Sequence, residues 1–173
     1  MYNNSELKSV TLNTIRQLKS KGEKIACLTA YDAAFANLVD KAGTEIILVG
    51  DSLGMVIQGH KTTVPVTIKD MIYHTKIVAS SVDYSFIISD MPFMSFYNAD
   101  VAMDNAKKLM QDGGAQMVKL EGNKSQINII EKLALSDIPI CAHIGLRPQS
   151  VNKMGGYKVQ GKSSNEAEEL IQE

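Results

Sequence analysis

The sequence lacks what would send a chain to a membrane, a secretory route or a nucleic acid. No apolar run reaches the roughly 18 residues that a membrane helix needs. The opening "MYNNSELKSVTLNTIRQLKSKGEK" has no apolar core of signal-peptide type. A cytoplasmic protein without membrane association is therefore expected. Eighteen basic and nineteen acidic side chains nearly cancel, so no basic stripe is available to neutralise phosphates and no nucleic-acid partner is expected. Cysteine is scarce: Cys27 and Cys141 stand far apart, each in an apolar, β-branched stretch and without C-x-x-C spacing. They predict buried, reduced thiols rather than a metal site or a disulfide.

What is present suits a globular chain with a sizeable core. Over 173 residues, 45% are hydrophobic and 21% charged, which is ordinary for one soluble domain or most of a larger one. Five short apolar runs recur at 24–31, 45–52, 86–93, 117–122 and 138–145, each nearly continuous, as in strands covered on both faces. Segments of helical period follow them. "DAAFANLVDKAG" opens on an N-cap at Asp32 and puts Phe35, Leu38, Val39 and Ala42 on one face; "TIKDMIYHTKIVASS" follows the cap Thr67 with Ile68, Met71, Ile72, Thr75 and Val78. "ADVAMDNAKKLMQDGG" and "NKSQINIIEKLALSD" repeat the design, and "SSNEAEELIQE" begins another helix. With an N-terminal helix at about 11–21, the chain 1–173 is expected to form a single domain of five βα units.

Strand, helix, strand with short links means parallel strands and right-handed crossovers. An open doubly wound sheet of the dinucleotide-binding kind would carry a Gly-rich fingerprint after its first strand, and "LTAYDAAF" has none. A (β/α)8 barrel instead collects its chemistry at the carboxyl ends of several strands. Those ends here deliver Tyr31, Asp51 with Ser52, Asp90, Lys119 with Glu121, and His143. Lys119 and Glu121 are two apart on an extended chain, so both face the same space. His60 and His74, one in a loop and one on a helix, carry less claim to a direct role.

Asp51, Asp90 and Glu121 would repel one another at a common mouth unless something positive sat among them. Oxygen-only donors favour a hard ion such as Mg²⁺. Lys119 adds a fixed positive charge suited to an anionic substrate. A metal with open positions could chelate a 2-oxo acid and, by polarising its carbonyl, acidify the adjacent C–H. The bland reading makes each strand-end Asp a helix cap or turn residue. Three acids and a lysine at one rim favour the site.

Gly50-Asp51-Ser52-Leu53 also spells the nucleophile motif of the GDSL hydrolases. That chemistry needs a histidine base from an Asp-x-x-His element, and no Asp in this chain has His three residues on.

The blocks "GEKIACLTAYD", "VGDSLGMVIQGHKTTVPVTIKDMIYHT", "SDMPFMSF", "NAKKLMQDGGAQMVKLEG" and "AHIGLRPQSVNKMGGYKVQGK" resemble the ketopantoate hydroxymethyltransferase family from about residue 9 to 165. The resemblance implies a (β/α)8 barrel of the phosphoenolpyruvate/pyruvate type, assembled as a homo-oligomer, a decamer in that family. It also implies transfer of a one-carbon unit from 5,10-methylenetetrahydrofolate to 3-methyl-2-oxobutanoate, in pantothenate biosynthesis. Asp51, Asp90 and Glu121 would serve the Mg²⁺ centre. Asp51, Ser52, Asp90 and Lys119 would hold the oxo acid, Tyr31 and His143 would line the pocket, and "GHKTTVPVT" would cover one side of the mouth. The family's general base, a glutamate on the sixth strand, would lie beyond residue 173, and Glu166, Glu168, Glu169 and Glu173 are not replacements. Five units leave the barrel incomplete, with bare edges on the first and fifth strands. Two alternatives stand beside this one: a carbon–carbon lyase of the same superfamily, and a non-catalytic remnant that binds oxo acid or joins an oligomer.

Overall fold

The computed structural model describes residues 8–173. Helix α1 (Leu12–Ser20) starts at Thr11, which forms a capping box with Thr14. There follow β1 (Cys27–Thr29), α2 (Ala33–Lys41), β2 (Ile46–Val49), α3 (Leu53–Val56), α4 (Ile68–Ala79), β3 (Phe86–Asp90), α5 (Ala99–Gln111) and β4 (Met117–Glu121). The chain continues through α6 (Ile127–Ala134), β5 (Ile140–His143), α7 (Val151–Met154) and α8 (Ser164–Gln172). Asp32 and Thr67 cap α2 and α4 as their spacing predicts. The single-turn helices α3 and α7 were not anticipated, because one turn is too short to show a period.

All strand pairs are parallel and the order is β1-β2-β3-β4-β5, the order of the chain. A doubly wound sheet would reverse its order at a switch point; this sheet does not, and it forms part of a barrel. Alternation along the strands builds two cores. Ile47, Val49, Ile87, Val118 and Leu120 pack with Ala36, Val39, Met71, Val78, Ala106, Leu109 and Leu133 from the helices. Residues of the other parity, Ile46, Leu48, Phe86, Ile88 and Met117, meet Val10, Leu12 and Ile15 at α1. The Val10 N–H donates to Tyr84 O, fastening the segment before α1 to the sheet.

Three expectations need correction. All three residues of β1 are exposed, so it is not covered on both faces: it is an edge strand with one neighbour. For the same reason Cys27 is exposed, while Cys141 on the other edge strand is half-buried; both are free thiols but neither is buried. On α2 the buried residues are Ala36, Val39 and Asp40, whereas Phe35 and Leu38 are 49% and 63% exposed. Asp40 is drawn inward by four donors, the N–H groups of Asp83, Tyr84 and Ser85 and the Ser85 hydroxyl. Burial pushes its pKa up, but these bonds, led by Ser85, outweigh that and hold it below the ordinary value. The loop entering β3 is thereby tied to α2. Among the described residues no helix is long and apolar enough to cross a membrane.

Candidate active site

The carboxyl ends of the strands form a cleft of about 360 Å³ lined by Asp51, Ser52, Asp90, Lys119, Glu121 and His143 among others. Register explains the gathering. Asp90 pairs with Lys119 across β3 and β4, and Glu121 with His143 across β4 and β5. Parallel partners point to one face, so these four side chains must share the mouth. Asp51 joins them through its backbone N–H, which donates to Asp90 Oδ2 at 3.0 Å.

Lys119 Nζ lies 2.6 Å from Asp90 Oδ1, a charge-assisted contact between buried groups. Both Asp90 oxygens are thus engaged, Oδ1 by Lys119 and Oδ2 by the Asp51 N–H. Burial raises the Asp90 pKa and Lys119 offsets part of the rise; Lys119 is itself desolvated, but Asp90, Asp51 and Glu121 outweigh this and hold it protonated. Burial, then the charge of Asp90, lifts Asp51 to about 6. Burial, then Asp51, lifts Glu121 to about 7. His143 is pushed the other way, below its usual value, by burial and then by Lys119. Its Nδ1 stands 3.7 Å from Glu121 Oε1 without a hydrogen bond, so a neutral imidazole faces the acid.

Tyr31, two residues past β1, completes the set: its hydroxyl lies 2.8 Å from Ser52 Oγ. The Tyr31 carbonyl is in turn 2.8 Å from His74 Nδ1, which gives that histidine a supporting role. His60 is exposed, and its backbone N–H bonds Gly54 O. Ser52 therefore has a tyrosine rather than a histidine base as partner, as the missing Asp-x-x-His element predicts. A Cβ at Gly50 would stand 3.2 Å from Ser52 Oγ and 3.4 Å from Asp90 Oδ2, intruding on the corner. A Cβ at Gly54 would collide with Val66 Cγ2, which shows how closely the "GHKTTVPVT" segment folds onto α3. That segment brings Thr63, 1% exposed, against Asp51, where its side chain opposes the rise in the Asp51 pKa.

Sequence reasoning missed Gln149. It lies in the 3₁₀ turn Pro148–Ser150, is 7% exposed, and bonds Asp51 through Nε2 and Glu121 through its backbone N–H. The only available signal was its place in "GLRPQS", directly after the fifth strand end. The glutamates of α8 supply nothing to the cleft wall, and Glu166 is engaged in capping its own helix.

The donor set suits a hard divalent cation. Three carboxylates, each less than 8% exposed, face one lysine whose Nζ pairs with Asp90 Oδ1, so the acids outnumber the positive charge among them. Among the described residues no group of three or more His, Cys, Asp or Glu side chains is arranged to hold a metal ion, so Asp51, Asp90 and Glu121 line one mouth without forming a three-carboxylate centre. Mg²⁺ uses one or two carboxylates and fills its shell with water or substrate oxygens, so such an ion would rest on fewer than three of these acids.

Known proteins resemble this chain in sequence and in fold. A 3-methyl-2-oxobutanoate hydroxymethyltransferase of Marinomonas sp. (strain MWYL1) is 57% identical over 166 residues, covering 96% of this chain and 60% of that protein. The enzyme of the same name from Halorhodospira halophila is 49% identical over 162 residues, covering 94% and 59%. The chain thus spans about three fifths of the length of these curated relatives. Among solved structures, phosphonopyruvate hydrolase in complex with oxalate and Mg²⁺ superposes with a TM-score of 0.63 at 15% identity, covering 91% of this chain and 66% of that one. The 2,3-dimethylmalate lyase of the PEP mutase/isocitrate lyase superfamily gives 0.57 at 13% identity, covering 75% and 51%. These two share the fold. The family model for ketopantoate hydroxymethyltransferase matches residues 9–173, and the chain belongs to that family.

Proposed function

We propose that the chain carries the 2-oxo-acid and metal half of a hydroxymethyltransferase site, acting on 3-methyl-2-oxobutanoate with 5,10-methylenetetrahydrofolate as one-carbon donor and giving 2-dehydropantoate. The observation that carries this reading is the in-register pair Asp90–Lys119 beside Asp51 and Glu121 at one strand-end mouth. Carboxylates of Asp51, Asp90 and Glu121 would hold Mg²⁺, one or two of them directly, with water or substrate oxygens completing its shell. Bound there, Mg²⁺ would supply Lewis-acid polarisation of the keto group, acidifying the adjacent C–H.

The remaining roles belong to side chains. Lys119 offers its charge to the oxo acid, and Ser52, oriented by Tyr31, donates to the substrate carboxylate. Neutral His143 closes the wall on the β5 side. The Mg²⁺ and oxalate of the phosphonopyruvate hydrolase complex support the same chemistry on the same fold, since oxalate resembles a planar 2-oxo-acid enolate. The family resemblance further supports a cytoplasmic homo-oligomer, with the proton-abstracting glutamate placed after residue 173.

The test is mass spectrometry of a mixture of chain, Mg²⁺, 3-methyl-2-oxobutanoate and 5,10-methylenetetrahydrofolate. Product should form when the barrel-completing sequence is present. The 173 residues alone should turn over about 10²–10⁴-fold more slowly, the usual contribution of a general base. Full turnover by the 173 residues would refute the placement of the base; no product from the completed barrel would refute the reaction.

A further inference from the structure

Gln149 ties together three strand ends. Its Nε2 donates to Asp51 Oδ2 at 2.8 Å, after β2, and to the Met91 carbonyl at 2.9 Å, after β3. Its backbone N–H donates to Glu121 Oε2 at 3.1 Å, at the end of β4. Gln149 itself follows β5, in a turn opened by Pro148 and anchored by buried Val151. Both side-chain N–H groups are thus used, and residues 98 apart in sequence are joined within a buried corner.

We infer that Gln149 is the positioning residue of the metal corner: it fixes one oxygen of Asp51 and one of Glu121, leaving Asp51 Oδ1 and Glu121 Oε1 for the cation. The inference rests on the metal site of the proposed function and adds to it the device that orients the site. A neutral donor is what such a corner requires. Arginine or lysine would cancel the charge that attracts the cation, whereas an apolar residue would keep the backbone bond to Glu121 but leave buried Asp51 unheld by this turn. Partners of this outer kind commonly govern metal affinity by 10–100-fold. Because Met91 O takes the second amide proton, the carboxamide cannot swing without losing a buried bond, and so its direction on Asp51 is set.

The experiment measures Mg²⁺ affinity by calorimetry at saturating 3-methyl-2-oxobutanoate, with circular dichroism and thermal melting on the same samples. Gln149→Met keeps length and removes both donors; about 10–100-fold weaker Mg²⁺ binding with a retained fold is expected. Gln149→Asn keeps a neutral amide and shortens it by one methylene, so it tests orientation without adding charge. It should weaken Mg²⁺ binding, and added Mg²⁺ should then raise the melting temperature by less than in the unaltered chain, a loss of linkage that a purely structural residue would not give. Gln149→Asn also serves if Gln149→Met fails to fold. Undiminished Mg²⁺ affinity in either folded variant would overturn the inference while leaving the proposed function standing. If the unaltered chain bound neither Mg²⁺ nor oxo acid, both would fall.

Discussion

Asp90 and Lys119 are partners twice over: they pair directly in the register of β3 and β4, and their side chains meet as an ion pair at 2.6 Å. Backbone pairing therefore fixes the electrostatics of the mouth. Removing the cation with Lys119→Ala leaves Asp90 buried beside Asp51 with no opposing charge. Breaking one side of a buried pair costs about 3–5 kcal/mol, so urea denaturation should show a loss of that size. A loss under about 1 kcal/mol would mean that the pair is screened by water.

Stability should depend on pH through Asp51 and Glu121. Their folded pKa values, about 6 and about 7, lie above the values near 4 of an unfolded chain. The folded state therefore holds more protons between those limits, and the contribution of these groups falls as pH rises from about 4 to about 7. The two titrate as a coupled set. Thermal melts of the metal-free chain should show this decline, and Asp51→Asn with Glu121→Gln should flatten it. Added Mg²⁺ should raise the melting temperature more at about pH 8 than at about pH 5, where proton and cation compete.

Gly54→Ala presses a methyl into Val66 Cγ2. Overpacking of this kind costs about 1–3 kcal/mol. Because Val66 belongs to the segment that brings in Thr63, the variant should also admit protease or deuterium to residues 59–67. An unchanged exchange pattern there would show that α3 yields instead of the segment.

Tyr31→Phe removes the hydroxyl 2.8 Å from Ser52 Oγ. Oxo-acid affinity should fall by about 0.5–1.5 kcal/mol, with little change in melting temperature because the bond is only half-buried. Equal affinity in Tyr31→Phe, measured by calorimetry, would release Ser52 from any dependence on Tyr31.

The strand-end residues were legible because parallel register and the period of two put Asp90, Lys119, Glu121 and His143 on one face without any tertiary information. Asp51 and Ser52 followed from their place after an apolar run. Gln149 was not legible: a lone amide has no motif, and its partner Asp51 is 98 residues away. The inner face of α2 was misread because hydrophobic period cannot show that Asp40 turns inward to bind the loop at 83–85 while Phe35 turns out. Cys27 was misplaced because an apolar strand at a sheet edge looks, in sequence, like one in the middle.

The central claim, a cation-dependent oxo-acid site built on Asp51 and Asp90, is tested most directly by calorimetry of 3-methyl-2-oxobutanoate binding with Mg²⁺ and with chelator. Binding to the unaltered chain should require Mg²⁺ and should be lost in folded Asp51→Asn and Asp90→Asn. Equal affinity in chelator, or undiminished binding in both variants, would contradict the account.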